Sequence, residues 1–279
     1  MSIEQSILSV ISGSMVGLSL GLLGGGGSIL AVPLLLYLVR LKNPHVVIGT
    51  SALAVATNAF INLFTHSRNG HVRWRPAISF SLPGILGALL GSELGKQVHG
   101  TALLFLFALF MFVIAGLILR QAFTQQSDIR PQVSTTSAGQ YEEMAAAPPL
   151  KHRVRWVAII AAGLLVGALS GFFGIGGGFL IVPALVFAGG LNFIEAIGTS
   201  LLAVGLFGLT TAITYSLAGL INWLAFLEFI VGGAVGGYFG TRLATRLSQR
   251  RATLNYIFSV VIIVVAIYML YKNALALHL

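Results

Sequence analysis

The chain has 279 residues, 57% of them hydrophobic and only 8% charged, with a formal net charge of +9 and a mean hydropathy of +0.94. A soluble domain carries about a quarter of its residues as charges. This composition cannot clothe a water-facing surface, and it places most of the chain in lipid. There is no cysteine, which excludes a disulfide framework, an iron–sulfur cluster and a thiol nucleophile. The 6 histidines are scattered without HExxH or HxH pairing, so neither a metal site nor a cofactor is expected. The basic residues lie between apolar runs, as in cytoplasmic membrane loops, and nucleic acid is not an expected partner.

Ten apolar segments are predicted, over 6–23, 28–39, 45–66, 77–95, 101–120, 155–173, 179–190, 195–217, 223–243 and 252–271. The leading MSIEQ is too acidic for a signal-peptide n-region, so the first segment reads as a retained membrane helix. Most segments reach the roughly 20 residues that cross about 30 Å of hydrocarbon. Segments 28–39 and 179–190 do not; each carries a proline, Pro33 or Pro183, and each follows a glycine cluster. Residues 121–153 are rich in Gln, Ser, Thr and Pro and cannot bury enough apolar surface to fold alone. The expected organisation is a repeat over 1–120, a flexible cytoplasmic linker over 121–153 and a second repeat over 154–279.

The duplication is visible residue by residue. At an offset of 150, Gly13, Gly17, Gly21, Gly24, Gly26, Gly27 and Pro33 match Gly163, Gly167, Gly171, Gly174, Gly176, Gly177 and Pro183. One residue is then lost. At an offset of 149, Ile48-Gly49-Thr50-Ser51 matches Ile197-Gly198-Thr199-Ser200, Gly70 and Trp74 match Gly219 and Trp223, and Gly84, Gly87 and Gly91 match Gly233, Gly236 and Gly240. Five segments is an odd number, so the second copy enters the membrane from the opposite side. A re-entrant hairpin in place of the first two segments leaves three crossings and the same inversion.

With the N-terminus outside, inner loops carry Arg68, Arg73, Arg75, Arg120, Arg130, Lys151, Arg153, Arg155, Arg242, Arg246, Arg250 and Arg251, against Arg40, Lys42, Lys96 and Lys272 outside. The positive-inside rule then selects both termini outside and the linker in the cytoplasm. The expected fold is an all-α polytopic membrane protein of two inverted five-segment repeats.

The chemistry is expected at the paired clusters Gly24-Gly25-Gly26-Gly27-Ser28 and Gly174-Ile175-Gly176-Gly177-Gly178. Glycine lets the backbone leave helical geometry, and a helix starting after it offers free N–H groups to an anion. Gly/Pro-interrupted short segments at matching places in two halves point to a transporter site. Neither cluster is followed by Lys-Ser or Lys-Thr, so there is no P-loop. Gly13, Gly17 and Gly21, like Gly87 with Gly91 and Gly236 with Gly240, read instead as small-xxx-small helix packing.

Thr50, Ser51, Thr199 and Ser200 could hydrogen-bond an oxyanion or bond back to their own helices. Asn58 and Asn62 lie one turn apart and meet a ligand, water or a neighbouring helix; Phe207 and Thr211 occupy the matching places, so a site there is asymmetric. Glu228 lies about five residues inside the segment 223–243 and is the candidate for proton coupling, or an acid favoured by a helix start. Glu93 with Lys96 reads as a local surface pair. No Ser/His/Asp set stands at plausible positions, so an enzyme is not expected.

The repeated GGGGSILAVPLLL and GIGGGFLIVPALV, each followed by IGTS at 48–51 and 197–200, resemble the TauE/SafE family of sulfite and organosulfonate exporters over all but the linker. The resemblance implies a bacterial inner-membrane carrier that moves small sulfur-containing anions, usually outward. It places the family motif at residues 24–28, 33 and 50–51 and at 174–178, 183 and 199–200. The expected partners are the lipid bilayer and a small anion, with a homodimer left open. The expected function is export by alternating access; an anion channel of the same architecture and an importer of a similar anion are the rivals.

Overall fold

The computed structural model describes residues 3–127, 156–187, 189–191, 193–246 and 251–276, and no strand occurs among them. The helices are α1 (Ile3–Leu23), α3 (Pro44–Arg68), α4 (Trp74–Gln97), α5 (Gly100–Ser127), α6 (Trp156–Phe173), α7 (Gly178–Phe187), α8 (Phe193–Leu217), α9 (Trp223–Arg246) and α10 (Arg251–Ala276). Between α1 and α3 lies α2, a composite of a 3-10 stretch Gly24–Leu30, a single α turn Ala31–Pro33 and a π turn Leu34–Leu38. The ten elements fall on the ten apolar segments. One boundary differs: α5 continues through Ser127, into the stretch read from the sequence as linker. The rest of that stretch lies outside the described residues.

Local signals set the ends. Asn43 Oδ1 accepts from the His45 and Val46 amides at 3.0 and 3.5 Å, with Pro44 opening α3, the N-cap and first-turn proline that a helix start favours. Gly70 and Gly219 follow α3 and α8 with φ of +72° and +69°, where glycine ends a helix without steric cost. Asn222 Oδ1 accepts from the Ala225 amide at 3.1 Å and starts α9.

Among the described residues, five helices are long and apolar enough to cross a membrane: α1, α3, α4, α8 and α9. Their outer faces carry unbroken apolar rows. On α4, Leu82, Leu86, Leu90 and Leu94 are all well exposed at helical spacing; on α1, so are Ile3, Ile7, Ile11 and Met15. Such rows would be an aggregation surface in water and are an ordinary surface in lipid. The more buried α3 and α8 form the centre.

The packing is symmetric under exchange of the halves. α1 lies along α9 and α6 along α4; α3 packs on α8 and α9, while α8 packs on α3 and α4; α5 pairs with α10, and α2 touches α7. The glycines explain the closeness. A Cβ on Gly13 or Gly17 would overlap the backbone of Phe229 or Gly233, and a Cβ on Gly163 or Gly167 would overlap that of Phe80 or Gly84. These are the same contacts one repeat apart. The α3 and α8 helices run antiparallel: Gly49 near the start of α3 faces Tyr215 and Leu220 at the end of α8, and Gly198 faces His71 just past α3.

Candidate functional site

The centre of the molecule is the crossing of α3 and α8. There Gly208 approaches Ala52 and Ala56, and Gly205 approaches Phe60. The second glycine cluster comes to this crossing, because the loop before α7 reaches Ile48, Val55 and Val204, while α2 touches α7 and α8.

The two clusters have different backbones. In the second, Gly174, Gly176 and Gly177 have φ of +67°, +69° and +65°, a left-handed conformation that only glycine adopts cheaply. A Cβ at Gly176 would stand 2.9 Å from Val204 and 3.2 Å from Val55, the central residues of α8 and α3. The loop is pinned by Ser51, whose hydroxyl donates to the Gly174 carbonyl at 3.3 Å and to the Ile48 carbonyl at 3.0 Å. α7 begins at Gly178. In the first cluster, residues 24–27 run on from α1 as 3-10 turns. A Cβ at Gly27 would overlap the backbone at Leu20. Residues seven apart in a straight helix are about 10 Å apart, so the chain folds back along α1 here. Ser28 is fully buried beside it.

The hydroxyls of the IGTS elements divide into two kinds. Thr50 Oγ1 accepts from the Asn222 amide at 2.9 Å, and Thr199 Oγ1 from the Arg73 amide at 3.0 Å. Each threonine thus satisfies a helix start in the opposite half, at equivalent positions of the two repeats. Ser200 bonds back to the Ile197 carbonyl at 2.8 Å. The threonines therefore tie the halves together near the two ends of the antiparallel α3 and α8. Thr50→Val and Thr199→Val are each expected to cost about 1 kcal/mol, the worth of one hydrogen bond. Ser200→Ala is expected to cost less, because back-bonding to one's own helix stabilises little. Thermal unfolding of the three variants in detergent checks the order.

Asn58 and Asn62 lie on α3 against α9. Asn62 donates to the Asn58 carbonyl at 2.9 Å and accepts from Thr241 at 3.2 Å. Asn58 is fully buried, and neither its amide nitrogen nor its oxygen has a partner. Glu228 is half-buried in the second turn of α9, with one carboxylate oxygen unpartnered. It stands about 140° around the helix from Gly233, which faces Asn58. Lys96 pairs with Glu93 at 2.7 Å, as the spacing suggested. Among the described residues no group of three His, Asp or Glu is placed to hold a metal ion.

Sequence reasoning missed one pair. Arg73 and Glu195 meet at 2.6 Å across 122 residues of chain, joining the start of α4 to the start of α8. The hydrogen bonds that Arg73 donates to Glu195, and then the charge of Glu195, raise the Arg73 guanidinium further above its ordinary value. It also missed the buried Ser170, which lies against Gly177 with its hydroxyl unpartnered. The proximity of Ser170 to the cluster in the chain was the available signal.

The sequence profile of the family described as "Sulfite exporter TauE/SafE" matches residues 9–269. A probable membrane transporter protein of Xylella fastidiosa strain Temecula1 is 48% identical over 98% of both chains. The probable membrane transporter protein YunE of Bacillus subtilis is 26% identical over 81% of this chain and 84% of its own. No solved structure gives a significant match. A helical fold with five membrane-length apolar helices, apolar outer faces and a match over nearly the whole length leads to one conclusion: the chain belongs to the sulfite exporter TauE/SafE family and is a multi-pass membrane transporter.

Proposed function

We propose that the protein is a secondary transporter that exports a small sulfur-containing anion, such as sulfite or an organosulfonate, by alternating access. The reading is carried by one observation: a left-handed glycine loop reaches the middle of the antiparallel α3 and α8. Irregular backbone at membrane depth is tolerated where it lines a cavity or is buried in protein, and carriers place their sites at such breaks between related halves. The substrate would lie beside the loop before α7 and the turn at 24–28, taking backbone N–H groups and the Ser51 and Ser28 hydroxyls in place of water. The two halves would then rock about the α3–α8 crossing.

The distribution of arginine supports an inner-membrane orientation with both termini outside and residues 121–153 in the cytoplasm. A monovalent anion leaving a negative-inside cell gains about 2.3 kcal/mol per 100 mV, so export needs no nucleotide. The test is flux from proteoliposomes holding the purified full chain, loaded in turn with sulfite, sulfoacetate, thiosulfate and sulfate. Saturable efflux of sulfite or sulfoacetate, accelerated by an inside-negative potential, is expected. Flux that rises linearly with concentration would make the protein a channel, and no flux of any sulfur anion would remove the substrate.

A further inference from the structure

We propose that the two pseudo-equivalent seams of this molecule are functionally unequal: the α1–α3–α9 seam alone is the hydrated route for the substrate, over a polar stripe on α3, and the α4–α6–α8 seam is a closed, dry copy of it. The proposal rests on the transporter reading above and assigns its path.

The stripe is Ser51, Asn58, Asn62 and His66. Positions seven, eleven and fifteen residues on from the first fall on one helix face, and all four are buried. Across from them α9 offers almost no side chains. A Cβ on Gly233 would overlap the Asn58 amide, and one on Gly237 would stand 2.8 Å from that of Asn62. On the far side of Gly233 lies Gly17 of α1. The stripe ends at His66, whose ring lies 5.8 Å from that of His71 and beside the Gly21 backbone.

The twin stripe on α8 is Ser200, Phe207, Thr211 and Tyr215. The phenyl ring of Phe207 fills over Gly84 the notch that the Asn58 amide fills over Gly233, and it stacks on Phe80 at 6.1 Å. Thr211 spends its hydroxyl on the Phe207 carbonyl at 3.0 Å. One repeat therefore closes its seam with an aromatic pair, and the other lines the same seam with amides and an imidazole.

Unpartnered groups separate the two further. In the twin seam they are the hydroxyls of Ser81, Ser170 and Tyr215; each is a single rotatable O–H. In the α3 stripe, a carboxamide with two donors and an acceptor is fully buried with no partner. A rigid amide left so is costly in a membrane interior and calls for water or a ligand. The stripe holds donors and no carboxylate, which suits the oxygens of a small oxyanion.

The natural chain has no cysteine, so single cysteines report water access directly. Asn58→Cys, Asn62→Cys, Phe207→Cys and Thr211→Cys would be reacted in membranes with a small membrane-impermeant methanethiosulfonate from both sides. Asn69→Cys, on the exposed turn after α3, is the accessible control. The first two are expected to react about tenfold faster than the second two, because only a hydrated thiol ionises readily. Sulfoacetate is expected to slow the reaction at position 58. A second readout installs the twin residue: Asn58→Phe is expected to cut flux at least about tenfold, whereas Phe207→Leu keeps it within about twofold. Equal rates in both seams, or no reaction at 58 and 62 while the control reacts, would overturn the proposal and leave the transporter reading standing. Asymmetric labelling without flux of any anion would do the reverse.

Discussion

Gly17→Ala and Gly167→Ala are expected to destabilise the protein by about 2–3 kcal/mol each, the upper range for overpacking a tight core. The same substitution at Gly116 is expected to stabilise it by up to about 1 kcal/mol, the helix-propensity gain of alanine over glycine. The chemistry is identical and the sign is reversed by surroundings. At Gly17 the new methyl would overlap the Gly233 carbonyl, and at Gly167 the Gly84 carbonyl, whereas at Gly116 nothing lies within 4 Å. Backbone cannot swing aside as a side chain can, so α1 must move off α9, or α6 off α4. Those seams are held by close van der Waals packing, since lipid gives helices no hydrophobic reason to associate. Midpoints of thermal unfolding in detergent are the measurement. An unchanged or raised midpoint for Gly17→Ala would mean that α1 and α9 are not packed as described.

The second large effect is expected at the loop before α7. Gly174→Ala and Gly176→Ala should abolish transport while leaving the helix content in place. A left-handed conformation costs an alanine about 1–2 kcal/mol. To this the loop adds crowding: a Cβ at Gly174 would overlap Ile48, and one at Gly176 would sit 2.9 Å from Val204, both fully or almost fully buried. The loop would have to shift from the α3–α8 crossing and drop the Ser51 bond to the Gly174 carbonyl. Gly219→Ala separates the two contributions. It carries the same left-handed strain at φ +69° with nothing within 4 Å, so it should lose about 1–2 kcal/mol of stability and keep its flux. Flux per folded molecule, with circular dichroism of each variant, decides. Wild-type flux in Gly176→Ala would detach the loop from transport.

Helix positions were legible because hydrophobic runs of membrane length leave no other solution for the backbone in lipid. The duplication was legible because glycine and proline are fixed by backbone geometry, which side-chain drift does not erase. The packing role of Gly13, Gly17 and Gly21 followed from spacing alone and is what α1 uses against α9. By itself, then, the sequence determined an all-helical membrane chain of two related halves, with two breaks at matched positions. It did not determine partners. Thr50 capping Asn222, Thr199 capping Arg73 and Arg73 pairing with Glu195 all join residues more than a hundred positions apart. Such contacts depend on α3 and α8 running antiparallel through the centre. The matched clusters look alike in sequence, yet one folds as 3-10 turns and the other as a left-handed loop. The exchange of Asn58 for Phe207 was visible as letters in a register. That both fill the same glycine notch in opposite seams was decided only by the tertiary structure, because a notch belongs to two helices at once.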